Sequence, residues 1–197
     1  MTEAARNFST YLLPNNIICG ARPDDWNALL RLMLDTLKRH FPELDREQAE
    51  AEVLKREALF STMIAPELAV PHARLPGLDC PLVAMAICPD GVEYPGQRGE
   101  IVKVAILILT AAEEPTVHLQ LLSALAESFR ELDAADRVAK LNYPEEVKAF
   151  FSRNKVMMRD YLTAADVMLR DFTTVRETDT IRDALERFAT KMQPDLL

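Results

Sequence analysis

Ile101-Val102-Lys103-Val104-Ala105-Ile106-Leu107-Ile108-Leu109-Thr110 is the stretch on which the fold turns. From Val104 to Leu109 no polar side chain interrupts it. A strand with one face in water alternates apolar and polar residues, whereas a strand covered on both faces reads as a continuous apolar run. The run therefore predicts a sheet with helices above and below it, in the α/β or α+β class.

The flanking sequence supplies those helices. Trp26, Leu29, Leu30, Met33, Leu34 and Leu37 recur at helical spacing after Pro23-Asp24-Asp25, with Asp24 as the expected N-cap, and Phe41-Pro42 closes the helix. Asp45 with Gln48 resembles a capping box and opens a second helix reaching about Ala58. Glu113-Glu114-Pro115-Thr116 starts a third, with Leu119, Leu122, Leu125, Ala126 and Phe129 as its expected buried stripe. Two further helices are expected near Asp136 to Leu141 and Pro144 to Ser152. Tyr11-Leu12-Leu13 with Ile17-Ile18, Leu68-Ala69-Val70 and Leu82 to Ile87 read as strands, and Pro76-Gly77 and Pro89-Asp90-Gly91 as turns.

Three histidines occur in 197 residues. His72 sits in Pro71-His72-Ala73-Arg74, on what reads as a short connection stiffened by the proline. His118 lies near the start of the third helix, where free backbone donors favour an anion. If the segment ending at Val70 runs parallel to the central strand, both histidines reach one sheet edge, the usual ligand edge of an open α/β sheet. Neutral imidazole is a good nucleophile and leaving group near pH 7, so such a pair suits phosphoryl transfer. A histidine pair arising by chance and left at the surface is the plain alternative. Arg74 reads equally as a phosphate partner or a solvated charge. His40, beside Lys38 and Arg39, reads as a surface cation at a helix C-terminus.

Composition removes other classes. A net charge of −8 disfavours a nucleic-acid face. No stretch approaches the roughly 20 apolar residues of a membrane span, and the first ten residues lack a signal-peptide core; a cytoplasmic protein without membrane insertion is expected. Neither a G-x-G-x-x-G nor a Walker phosphate loop is present. The three cysteines form no C-x-x-C pair and read as buried free thiols. A metal-dependent hydrolase is poorly supported, because no H-x-x-x-H or H-E-x-x-H string occurs.

Ser61-Thr62, then Leu68-Ala69-Val70-Pro71-His72-Ala73-Arg74-Leu75-Pro76-Gly77-Leu78, then Pro89-Asp90-Gly91-Val92, the strand Val104 to Thr110, and His118-Leu119-Gln120-Leu121-Leu122 together resemble enzyme IIA of the fructose/mannitol type. That group includes the nitrogen-regulatory branch of the phosphoenolpyruvate-dependent phosphotransferase system. The likeness spans roughly Tyr11 to Ser152, within a domain of residues 1–154. It implies an α/β fold with a mixed β-sheet sandwiched between helices. It implies that His72 accepts a phosphoryl group from the carrier protein HPr or its nitrogen-branch counterpart. His118 would be the second active-site histidine, and Arg56 would stabilise the phosphate and thereby outrank Arg74. No metal or cofactor is required. The chain departs from the family at Met63-Ile64-Ala65-Pro66-Glu67, where relatives carry a glycine-rich run. Glycines allow positive φ there, and Glu67 brings a negative charge toward an anion site.

Residues 155–197 read as a linker and a short helical extension. Asp166-Val167-Met168, Thr174-Val175 and Thr180-Ile181 through Ala184, Leu185 and Phe188 resemble the first half of a CBS domain, with Asp179 as a possible helix cap. Only part of such a module is present, and no nucleotide binding is expected from it. No permease segment accompanies the domain, so regulation of a transporter, kinase or permease component is expected over dedicated sugar uptake. A homodimer is possible. The rival reading is a non-catalytic interaction module that kept the fold and lost the donor.

Overall fold

The computed structural model describes residues 7–96, 99–131, 133–153, 179–183 and 185–186. The chain divides into two compact units, Met1–Leu162 and Thr163–Leu197. The expected division at 154/155 and most of the CBS-like segment lie outside the described residues. In the second unit Thr180 and Asp183 cap the helical residues 181–183: Asp183 N donates to Thr180 Oγ1, and Thr180 N donates back to Asp183 Oδ2.

In the first unit the mixed sheet is built from β1 (Ile17–Ile18), β2 (Met63–Ala65), β3 (Leu68–Ala69), β4 (His72–Leu75), β5 (Leu82–Glu93) and β6 (Ile101–Ala111). The order is β1-β5-β6-β3-β2, with β4 also on β6. The helices are α1 (Trp26–His40), α2 (Arg46–Glu57), α3 (Pro115–Ser128), α4 (Ala134–Ala139) and α5 (Pro144–Arg153). β6 is the central strand, as its apolar run demands. Ala105, Leu107 and Leu109 enter a core with α1 and α2, while Val104, Ile106 and Ile108 enter a second core with α3, α4 and α5. The expected sandwich is the observed one.

β3 and β4 are one line of chain interrupted at Val70-Pro71. Leu68 pairs with Val104, Ala69 with Ala105 and His72 with Ile108, so the parallel register with β6 passes through the proline unshifted. Pro71 cannot donate, yet its carbonyl still accepts from Ile108 N at 3.0 Å. Alternation survives too. Val70 belongs to the core under α3, Ala73 and Leu75 to the core under α1 and α2, and His72 and Arg74 share the parity of Val70. His72 therefore opens a strand rather than lying on a connection.

Other local expectations shift. Asp25 caps α1, accepting from Ala28 N at 2.6 Å, because Trp26 is the first helical residue and the bond spans three positions. Asp45 caps α2 as expected, accepting from Gln48 N at 3.0 Å. Tyr11-Leu12-Leu13 forms no strand; short 3-10 turns at Phe8–Thr10 and Pro14–Asn16 flank it. β5 runs on through Pro89-Asp90-Gly91, where its register slips between Ile87 and Val92. Gly91 makes that possible at φ 75°, and a Cβ there would lie 2.1 Å from Ile101 Cγ2. Of the cysteines only Cys88 is buried; Cys19 is half-buried and Cys80 exposed. Among the described residues, no helix is long and apolar enough to cross a membrane.

Residues 63–67 form a hairpin. Ala65 pairs with Leu68 around Pro66-Glu67, and Glu67 takes φ 63°, the left-handed conformation that glycine adopts without strain. The Glu67 carbonyl accepts from both Lys103 N and Val104 N, each at 2.9 Å, which makes a bulge in β6. Its carboxylate meets Lys103 Nζ at 2.6 Å. The expected intrusion of Glu67 on the anion site does not occur.

Candidate functional site

His72, His118 and Arg56 line one cleft of about 540 Å³, together with Arg74, Lys55, Glu52 and Leu119. Three elements converge: β4 supplies His72 and Arg74, α3 supplies His118, and the last turn of α2 supplies Arg56. The parallel pairing of β4 with β6 brings this about. β6 ends at Ala111, α3 begins four residues later, and its first turn returns over the edge where β4 starts.

The imidazoles lie 5.2 Å apart between centroids and are inclined by 55°. His72 Nδ1 lies 2.8 Å from the carbonyl oxygen of Val70. A carbonyl only accepts, so Nδ1 carries the proton and Nε2 keeps a free lone pair. Burial holds the His72 pKa below the ordinary imidazole value, opposed by the Val70 hydrogen bond and assisted by the positive charge of Arg56. His118 is only 8% exposed, and its Nδ1 lies 2.8 Å from Thr110 Oγ1. Burial first, then His72, Arg74 and Arg56, push its pKa down to about 4. Both rings are neutral at pH 7.

Arg56 donates to the Phe60 carbonyl at 3.0 Å, which steadies the guanidinium just beyond the end of α2. Among the described residues, neither Arg56 nor Arg74 takes part in an ion pair, whereas Lys55 is paired with Glu52 at 3.2 Å. A chain of net charge −8 thus keeps two uncompensated guanidinium groups around two neutral imidazoles. Such a site can bind an anion and present a lone pair to it. Among the described residues, no cluster of three or more His, Cys, Asp or Glu is arranged to hold a metal ion.

His118 is the fourth residue of α3, and its own N–H is spent on Glu114 O at 3.5 Å. The anion-favouring donors expected there are reduced further by Pro115, which has none. The side chain, not the helix end, is what His118 contributes. Its burial also rotates the expected stripe of α3: His118, Leu121, Ala124, Leu125 and Ser128 face the sheet, and Leu119 is left exposed at the cleft rim. His40 is exposed and bonds back to Thr36 O at 3.0 Å, away from the cleft lining.

Two supports escaped the sequence reading. Thr110 is one; as the polar end of an otherwise apolar run it was visible in principle. The other is a buried knot behind Arg56. Thr62 N donates to Tyr94 Oη at 2.8 Å, Thr62 Oγ1 donates to Glu57 Oε1 at 2.8 Å, and Tyr94 Oη donates to the same carboxylate oxygen. It ties the end of α2 to the residue before β2 and to the chain after β5. Nothing in the spacing of Glu57, Thr62 and Tyr94 announces it.

Comparison with known proteins agrees with the fold. The relatives include a fructose-specific EIIA component of the phosphotransferase system from Haloferax volcanii, 28% identical over 104 residues, covering 53% of this chain and 68% of the relative. A nitrogen regulatory protein from Pseudomonas aeruginosa is 27% identical over 127 residues, covering 64% of this chain and 82% of that protein. Among solved structures, nitrogen regulatory protein IIA-Ntr from Neisseria meningitidis superposes with a TM-score of 0.66 at 22% identity, over 73% of this chain and 97% of its own. The IIA mannitol protein of Escherichia coli, in its complex with phosphorylated enzyme IIB, gives 0.61 at 21% identity, over 72% and 97%. These structures share the fold. The family model described as phosphoenolpyruvate-dependent sugar phosphotransferase system, EIIA 2, matches residues 10–154, and with that match over most of its length the chain belongs to the EIIA 2 family.

Proposed function

We propose that this protein is a regulatory phosphocarrier in which His72 Nε2 accepts a phosphoryl group from the phosphohistidine of HPr or a nitrogen-branch counterpart. The observation that carries the reading is the Val70 hydrogen bond, which leaves Nε2 of a cleft-lining histidine as a lone pair at neutral pH. The Nε2–P bond forms as the donor's N–P bond breaks in line, and the donor imidazole departs with the bonding pair. His72 then carries Nδ1–H and the phosphoryl group together, and the Val70 carbonyl stabilises the positive charge the ring acquires. Arg56 and Arg74 receive the phosphoryl oxygens, and His118 contacts the same group. The reverse step delivers it to a partner: a transporter, a kinase or a permease component. The likeness to a nitrogen regulatory protein over 82% of that protein's length supports a regulatory role.

The carrier reading is favoured over a non-catalytic module because none of residues 63–67 lines the cleft. The missing glycines are absorbed by a hairpin whose acidic residue is paired with Lys103. Incubation with phosphoenolpyruvate, enzyme I and HPr tests the proposal. Acid-labile label on the wild type, absent from His72→Ala, is expected; an unlabelled wild type across HPr and its nitrogen-branch counterpart overturns it.

A further inference from the structure

The two histidines are held by chemically different partners, and the difference assigns them different work. Val70 offers His72 a carbonyl, which can only accept. Thr110 offers His118 a hydroxyl, which can accept or donate. Thr110 is fully buried near the end of β6, opposite Arg74 in register, with the side-chain parity of Ile106 and Ile108 that faces α3.

Two proton arrangements fit a 2.8 Å contact. If His118 Nδ1 donated, the Thr110 proton would need another acceptor, and His118 Nδ1 is the partner of this hydroxyl among the described residues. A buried hydroxyl proton without an acceptor is costly. If Thr110 donates, the hydroxyl proton and the Nδ1 lone pair are satisfied by one bond, and the imidazole proton must sit on Nε2. The groups that face His118 with positive charge are Arg74 from β4 and Arg56 from α2, joined by His72 from β4 when it is protonated. They disfavour a second proton on the ring.

We infer that Thr110 is a positioning residue that holds His118 in the Nε2–H tautomer, so that a neutral donor stands beside the lone pair of His72. This rests on the carrier reading, because the phosphoryl oxygens of phosphorylated His72 are the acceptors that Nε2–H would meet. The assignment makes the pair complementary: one ring arrives with a lone pair and the other with a proton. A donor already in place needs no reorganisation when charge builds on the phosphoryl group.

Long-range proton–nitrogen correlation spectra of the unphosphorylated, nitrogen-15-labelled protein at pH 7.5 read the tautomer directly, with His118→Gln assigning the signals. The wild type and Thr110→Ser are expected to show His118 protonated on Nε2 alone. Thr110→Val keeps the shape and loses the hydroxyl; it is expected to give a tautomer mixture and to slow transfer from phosphorylated HPr by roughly tenfold or more, with Thr110→Ser close to wild type. A wild-type His118 protonated on Nδ1, or wild-type transfer by a folded Thr110→Val, overturns the inference. Should the wild type take no phosphoryl group at all, the carrier reading fails, while the tautomer assignment is still decided by the spectra.

Discussion

Glu67 and Lys103 meet twice: the carboxylate lies 2.6 Å from Nζ, and the Glu67 carbonyl accepts from Lys103 N at 2.9 Å. Both contacts depend on a backbone at φ 63°. A left-handed conformation costs a residue with a Cβ roughly 1–2 kcal/mol, and glycine is spared this cost. Glu67→Gly is therefore expected to be more stable than Glu67→Ala by about 1 kcal/mol, since both lose the ion pair and only alanine keeps the strain. Urea denaturation of the two variants checks this, and equal midpoints would contradict it.

The knot of Glu57, Thr62 and Tyr94 should show as stability first and transfer second. Tyr94→Phe removes the acceptor of Thr62 N, a buried donor. It also removes one donor to Glu57. A buried polar group left unpaired costs about 1–3 kcal/mol, so a clear loss in chemical denaturation is expected. Transfer should fall less than in Arg56→Ala, because Tyr94 does not line the cleft.

Arg56 is expected to resist replacement by lysine. Its guanidinium bonds to the Phe60 carbonyl and still has donors for an anion; an ammonium is a point charge without that planar fork. Rates of phosphorylation by HPr should fall by roughly a hundredfold in Arg56→Ala and recover only partly in Arg56→Lys. Full recovery in the lysine variant would show that charge alone suffices.

Acid should destabilise the protein through its buried histidines. The folded pKa of His72 is lowered and that of His118 is pushed down to about 4, against an unfolded value near 6.5. Between those values the unfolded chain binds protons that the native state refuses, so stability falls as pH drops from 6.5 toward 4. As pH rises through 6.5 their contribution to the slope fades, and it is lost about one unit above. Melting temperatures from pH 7 to 4.5 should fall less steeply in His118→Gln than in the wild type. Parallel profiles would argue against neutral burial of His118.

What was legible in the sequence follows a physical divide. The uninterrupted run from Val104 to Leu109 announced a strand buried on both faces, because solvation leaves its mark residue by residue. His72 and His118 stood out as a candidate pair from their places beside the central strand, the ordered motifs of a family sharpened that reading, and Arg56 was legible through those motifs alone. His72 was misplaced onto a connection because Pro71 reads as a strand breaker, whereas in a parallel pair its carbonyl keeps the register. The buried stripe of α3 was misjudged because Leu119 is apolar and exposed while His118 is polar and buried. Hydrophobicity cannot foresee an imidazole whose burial is stabilised by a hydroxyl on another element. Glu67 at positive φ was equally hidden, since the lysine that meets it lies in a distant strand.

The supports of the two histidines also differ in reach along the chain. His72 takes its acceptor from Val70, two residues away across a proline, whereas His118 depends on β6 and α3 remaining docked. Heat or mutation that loosens α3 would thus separate them: His72, the proposed phosphoacceptor, keeps its acceptor in a strand paired with the buried end of β6, and the companion ring drifts. Damage of this kind should first appear as slowed uptake of the phosphoryl group by a chain whose fold is still intact.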